Sequence, residues 1–208
     1  MDKRILIIAG PSAVGKTTLA TALFEADPRF EFVRSVTTRA PRGDSFDDEY
    51  IYVTHEEFLH LIETSGVLEH TEYAGNLYGT PRSEIDRITA EGRIPLLVLD
   101  VNGVRSLSIN KGDIKPCGVY VYDELDTLKD RLINRYCGDE SRAASRIRQN
   151  SVDFAHFSEY YEYFYGFVRN GETVDIGAER VAQSFRDFCN DLPKMCDEED
   201  MKSVGICI

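Results

Sequence analysis

The chain has 208 residues, 42% hydrophobic and 29% charged, which suits one α/β domain with embellishments and excludes a disordered chain. A formal net charge of −12 sets its average surface against nucleic acid, so any phosphate must be met in a local basic pocket. The longest apolar runs, such as IPLLVL, are too short to cross a bilayer, and no leader-like segment is apparent, which predicts a soluble, cytoplasmic protein with no membrane partner.

The first predicted element is the strand RILIIA at 4–9. Behind it, Gly10, Pro11, Ser12, Ala13, Val14, Gly15, Lys16 and Thr17 match G-x-x-x-x-G-K-[ST], and Thr18 continues into a helix-forming run, TTLATALFEA. Glycines let a backbone wrap closely, so amide N–H groups and a helix N-terminus can point at phosphate oxygens. Lys16 then reaches the β- and γ-phosphates of a nucleotide and Thr17 supplies a hydroxyl for Mg²⁺.

From about 35 to 92 the strand–helix alternation breaks. SVTTRAPRGD places Arg39 and Arg42 three residues apart behind the hydroxyls of Ser35, Thr37 and Thr38. Such an arginine pair either clamps a phosphate or lies on a solvated loop. EYIYV at 49–53 reads as a strand, and Thr54 with Glu57 as a capping box opening the helix HEEFLHLIETS. LEHTEYAGNLYG alternates around Ala74, Gly75 and Asn76, which predicts a hairpin, and Thr80 with Pro81 is expected to cap a further helix. This is an inserted mixed α/β subdomain.

The core resumes with the strand IPLLVLD at 94–100, whose Asp100 reads either as a ligand-site carboxylate or as a cap for VNGVRSL. CGVYVY at 117–122 is a further strand, followed by a helix over 123–136 with Asp123 as its cap. Residues 137–150 are polar and arginine-rich, as suits a mobile flap, and weaker strands are predicted at 163–169 and 173–176. The aromatic stretch Phe154 to Phe167 reads as core packing, and 192–208, with its acid run DEED, as a solvated tail. Alternation of strand and helix outside the insertion predicts a parallel sheet with helices on both faces. The five cysteines form neither a CxxC pair nor a zinc spacing, so they are expected to be reduced thiols.

Taken together, GPSAVGKTTL, SVTTRAPRGD, EYIYV with its helix, LEHTEYAGNLYGTP, LLVLDVNGV and RLINRYCGDESRAASRIRQ resemble the guanylate kinase family over roughly residues 4 to 190. The resemblance implies a P-loop NTPase core at 1–34 and 93–190, a GMP-binding insertion at 35–92, a helical lid near 137–150 and a tail at 191–208. It implies ATP as donor with Mg²⁺, GMP and also dGMP as acceptors, and a monomer or homodimer. Residue by residue, it assigns the GMP phosphate to Ser35, Arg39, Arg42, Tyr50 and Tyr78. The guanine goes to Glu69 and Thr80 with Asp100 nearby, the ATP side and the transferring group to Arg131, Arg135 and Arg146, and the adenosine to Asn170.

The chemistry of the residues agrees. Guanine presents N1–H and N2–H₂ as adjacent donors that a carboxylate such as Glu69 accepts together, whereas adenine presents an acceptor at N1. Taken alone, Glu69 reads as an exposed hairpin carboxylate. The chain departs from the family at Ala13, where a third glycine is usual, at Val36, and at Val98, which leaves Asp100 without a companion carboxylate two residues earlier. Two other readings stay open: a kinase of another nucleoside monophosphate or a sugar phosphate, and a guanylate-kinase-like protein-binding module. The second would be marked by a broken phosphate loop or missing lid arginines, and both are intact.

Overall fold

The computed structural model describes residues 3–41, 48, 50–73, 75–110, 112–194 and 197–207. Five strands form the parallel core sheet: β1 (Lys3–Ala9), β2 (Phe30–Phe32), β7 (Ile94–Val98), β8 (Ile114–Tyr122) and β9 (Gly166–Arg169), in the order β2-β7-β1-β8-β9. β1 lies at the centre, with Ile7 level with Leu97 on one side and Gly118 on the other. Ile5 to Ala9 are fully buried, so both faces of this strand are covered. Helices α1 (Lys16–Ala26) and α7 (Val174–Cys189) pack together over the sheet, and α3 (Arg82–Ala90) and α4 (Val101–Ile109) cover β1 from other directions. Helices thus stand on both sides of a parallel sheet, as the alternating pattern predicts.

The insertion builds its own four-stranded sheet from β3 (Ser35–Thr37), β4 (Tyr50–Tyr52), β5 (Val67–Tyr73) and β6 (Asn76–Pro81), ordered β4-β3-β6-β5. β5 and β6 are the predicted hairpin, with Thr71 opposite Tyr78. Helix α2 (His55–Glu63) opens with both bonds of the capping box: the Glu57 amide donates to the Thr54 hydroxyl at 3.2 Å, and the Thr54 amide donates to Glu57 Oε2 at 2.7 Å.

Several boundaries differ from the sequence reading, the first two because a side chain is engaged elsewhere. Helix α3 starts at Arg82 with Pro81 as its boundary residue, because the Thr80 hydroxyl is turned to Glu69 instead of to the helix. Helix α5 (Leu125–Arg135) has Glu124 at its boundary, while buried Asp123 pairs with Arg131 Nη2 at 2.9 Å. Residues 174–176 are the first turn of α7, capped by Thr173, and not a strand. The arginine-rich segment is mostly helical, within α6 (Glu140–Ala155).

The aromatic stretch is core, as expected: Tyr120 packs against Phe157 at 4.1 Å and Phe164 at 5.3 Å between ring centres. Residues 197–207, however, are not a solvated tail. Asp197 caps a short helix, α8 (Glu198–Ser203), which buries Met201, and Val204 and Ile206 follow it into the core. Asp200 accepts from the Tyr122 hydroxyl at 2.7 Å and from Arg169 Nη1 at 2.9 Å, so the acid run is partly spent on docking this segment. Among the described residues no helix is long and apolar enough to cross a membrane, and Cys117, Cys137, Cys189 and Cys207 are unpaired thiols.

Candidate active site

The loop 10–15, Asp100 and Asn170 follow the carboxyl ends of β1, β7 and β9, where α/β sheets leave a crevice, whereas Ser35, Arg39, Tyr50, Glu69, Tyr78 and Thr80 lie in the insertion. β1 runs straight into the loop 10–15, and α1 begins at Lys16. Gly10, at φ +150, lies so close to β8 that a Cβ would meet the Val121 carbonyl oxygen at 2.1 Å. Gly15, at φ +95, is packed against the Asn170 amide, which a Cβ would meet at 2.7 Å. Both glycines are therefore demanded by close approach as well as by backbone conformation.

The Lys16 ammonium donates to the carbonyls of Gly10 and Pro11, each at 2.9 Å. Burial, with help from the charges of Arg135 and Arg146, pulls its pKa down to about 8 against the opposing pull of Asp100 and Asp153. The two predicted catalytic arginines are thus electrostatic neighbours of the lysine although they come from α5 and α6. Ala13, Gly15, Lys16, Thr17, Thr18, Arg131 and Arg135 line one cavity of about 510 Å³, large enough for the phosphates of a nucleotide. Arg131 Nη1 also reaches the Ala13 carbonyl at 3.5 Å, and Asn170 Nδ2 donates to the Val14 carbonyl at 2.7 Å.

A second cavity, of about 260 Å³, lies between the insertion and the core. Ser35, Glu69, Tyr78 and Asp100 line it, together with His70, Thr71, Asn102 and Ser106, which the sequence reading did not single out. Glu69 Oε1 accepts from the Thr80 hydroxyl at 2.6 Å, a pairing set by the hairpin register. Burial raises the Glu69 carboxyl above its ordinary range, the Thr80 bond opposes this, and the nearby charge of Asp100 adds to it. Asp100 caps α4 through Oδ1, which accepts from the Gly103 amide at 2.7 Å, and it also lines this cavity.

Arg39 sits over Tyr50, its guanidinium 5.0 Å from the ring centre, and donates to the Tyr52 hydroxyl at 3.2 Å. Tyr50 in turn meets Tyr78 edge-on at 6.2 Å. Arg39, Tyr50 and Tyr78 are therefore one cluster, while Arg42 lies outside the described residues. Asp153 on α6 was also missed. Its carboxyl is pushed up by burial and by Asp100, and drawn down by the Gln149 amide, 2.7 Å away, and by Lys16. A larger depression of about 720 Å³ along α2 is lined by Glu56, Glu57, Glu63 and apolar residues with His60, a surface with no lysine or arginine to meet a phosphate.

Mg²⁺ prefers hard oxygen ligands. The Thr17 hydroxyl fits: it lines the donor cavity beside Lys16 and is hydrogen-bonded to no other described residue. Among the described residues no group of three or more His, Cys, Asp or Glu could hold a metal ion.

The guanylate kinase family model matches residues 2–187. The guanylate kinase of Lactobacillus delbrueckii subsp. bulgaricus is 36% identical over 204 residues, covering 94% of this chain and 97% of the relative. That of Lactococcus lactis subsp. lactis is 33% identical, covering 85% and 84%. In fold, the crystal structure of guanylate kinase from Anaplasma phagocytophilum aligns with a TM-score of 0.60 at 24% identity, over 88% of this chain and 85% of that one. With the family model matching nearly the whole chain and a relative 36% identical over 94% of it, the chain belongs to the guanylate kinase family.

Proposed function

We propose that the two cavities hold ATP and GMP and that the chain transfers the γ-phosphoryl group between them, giving ADP and GDP, with dGMP as a second acceptor. The observation that carries this reading is the pairing of half-buried Glu69 with buried Thr80 in a cavity that also contains Asp100, whose charge is felt at Lys16. An ionised Glu69 accepts from guanine N1–H and N2–H₂. Adenine offers an acceptor at N1, which would face the carboxylate with no donor of its own.

On this reading Ser35, Arg39, Arg42, Tyr50 and Tyr78 hold the acceptor phosphate, the arginines screening its charge so that its oxygen can approach the donor. Lys16, Arg135 and Arg146 stabilise charge spreading over the transferring phosphoryl oxygens, and Arg131 and Asn170 hold the donor side of the loop. Thr17 is the residue that would hold Mg²⁺, and the ion would supply positive charge to the donor phosphates. No strong general base is required, because positioning and charge neutralisation account for most of the work in phosphoryl transfer. The insertion 35–92 and the lid near 137–150 close over the substrates, excluding water that would compete for the phosphoryl group.

A coupled assay for ADP release tests this. The unaltered protein turns over with ATP, Mg²⁺ and GMP, and Lys16→Ala lowers kcat by roughly 10²-fold or more. An unaltered protein without turnover, together with partner binding indifferent to Lys16→Ala, would support the binding-module reading instead.

A further inference from the structure

Helix α6 carries one fully buried polar side chain, Asn150, which is 0% exposed. Both ends of its amide are used on a single residue of the phosphate loop. Its Oδ1 accepts from the Ser12 N–H at 2.9 Å, and its Nδ2 donates to the Ser12 carbonyl at 3.1 Å. A buried amide without partners is costly, and so is a buried backbone N–H or C=O, so this reciprocal pair fixes Ser12 in one orientation.

The next residue explains why that orientation needs fixing. Ala13 has φ +66, in the left-handed region that a Cβ disfavours and glycine enters freely. The strained residue lies between two that are tied down: Ser12 by Asn150, and Val14 by the Asn170 amide on its carbonyl at 2.7 Å. With Lys16 on the Gly10 and Pro11 carbonyls and Arg131 at that of Ala13, every carbonyl from residue 10 to 14 is engaged by a side chain.

We infer that Asn150 is a positioning residue for the donor site, holding Ser12 so that Ala13 keeps the left-handed conformation on which the shape of the phosphate loop depends. It acts from the helix that also bears Arg146, one turn earlier, so the clamp joins the placement of that arginine to the placement of the loop. This rests on the reading of loop 10–17 as the ATP phosphate site, and goes beyond it in assigning work to a residue outside the loop.

The test is a cycle of Asn150→Ala, Ala13→Gly and the double variant, read by the KM values for ATP and GMP and by calorimetric binding of ADP, which needs no acceptor. Asn150→Ala is expected to raise KM for ATP and the Kd for ADP about tenfold, while KM for GMP changes less than twofold. Ala13→Gly then improves ADP binding more in the Asn150→Ala background than in the unaltered chain, because a glycine no longer needs to be held. Should Asn150→Ala fail to fold, Asn150→Asp keeps the acceptor for the Ser12 N–H and loses the donor, and the same comparison is made with it. Equal shifts in the two KM values, or a benefit of Ala13→Gly that is the same in both backgrounds, would overturn the inference. Failure of ATP or ADP to bind the unaltered protein at all would instead overturn the donor-site reading beneath it.

Discussion

Glu84→Gln probes the seam between the core and the insertion. Glu84 is 4% exposed and accepts from Arg34 through Nε and Nη2, both at 2.9 Å, and from Arg87 through Nε at 3.0 Å and Nη2 at 3.2 Å. Arg87 continues to Glu31 at 2.6 Å, and Arg93 meets the other oxygen of Glu31 at 2.7 Å, so α3, β2 and the residue entering β3 share one ionic network. The Arg34 hydrogen bonds above all, then those of Arg87, hold the Glu84 carboxyl down at about 2 against the opposing effect of burial.

A fall from 4.5 to about 2, at about 1.36 kcal/mol per tenfold, corresponds to roughly 3 kcal/mol of stability. Because the folded pKa is depressed, this contribution is fully present above the unfolded value and is lost as pH falls from about 4.5 through about 2. For a chain of this size, thermal unfolding of Glu84→Gln at pH 7 is expected to begin roughly 6–12 °C lower, with the gap to the unaltered protein closing across that acid window. A variant within about 1 °C at pH 7, or a gap that stays constant down to pH 2, would refute the claim that an ionised, paired Glu84 holds this seam.

Other consequences concern the acceptor site and the C-terminal segment. Glu69→Gln is expected to lower kcat/KM for GMP by about 10- to 100-fold, the loss of a charge-assisted hydrogen bond, with little change in KM for ATP. In the unaltered protein, the raised Glu69 carboxyl makes KM for GMP climb as pH falls, beginning above the ordinary glutamate range; a flat profile there would contradict an ionised reader. Met201→Ala is expected to cost about 2–5 kcal/mol by chemical denaturation, since the side chain is fully buried, whereas a solvated tail would tolerate it without effect.

What could be read along the chain is what is local. The phosphate loop and the Thr54–Glu57 capping box are fixed by neighbours within a few residues, and both stand where their spacing puts them. Glu69 gains its character from Thr80, eleven residues away across a hairpin, so composition alone gives an exposed carboxylate and only the fold brings the pair together. Asn150 meets Ser12 across 138 residues, and nothing around it in α6 announces the contact. β2 and β3, at three residues each, are too short to carry an alternation. VDIG at the start of α7 combines β-branched residues with glycine, which hides a helix that tertiary packing nevertheless favours through Val181, Ala182 and Phe185. The C-terminal segment was misjudged because α8 has six residues, too few for a period, and docks by Met201 and by Asp200 on Tyr122 and Arg169.

Selection of guanine by this chain is tested by an acceptor panel. With ATP and Mg²⁺ held constant, kcat/KM is measured for GMP, dGMP, AMP, UMP, dTMP and a sugar phosphate. The Glu69–Thr80 pair predicts GMP first, dGMP next, and AMP lower by on the order of 10⁴-fold. AMP, UMP, dTMP or the sugar phosphate outrunning GMP would contradict it.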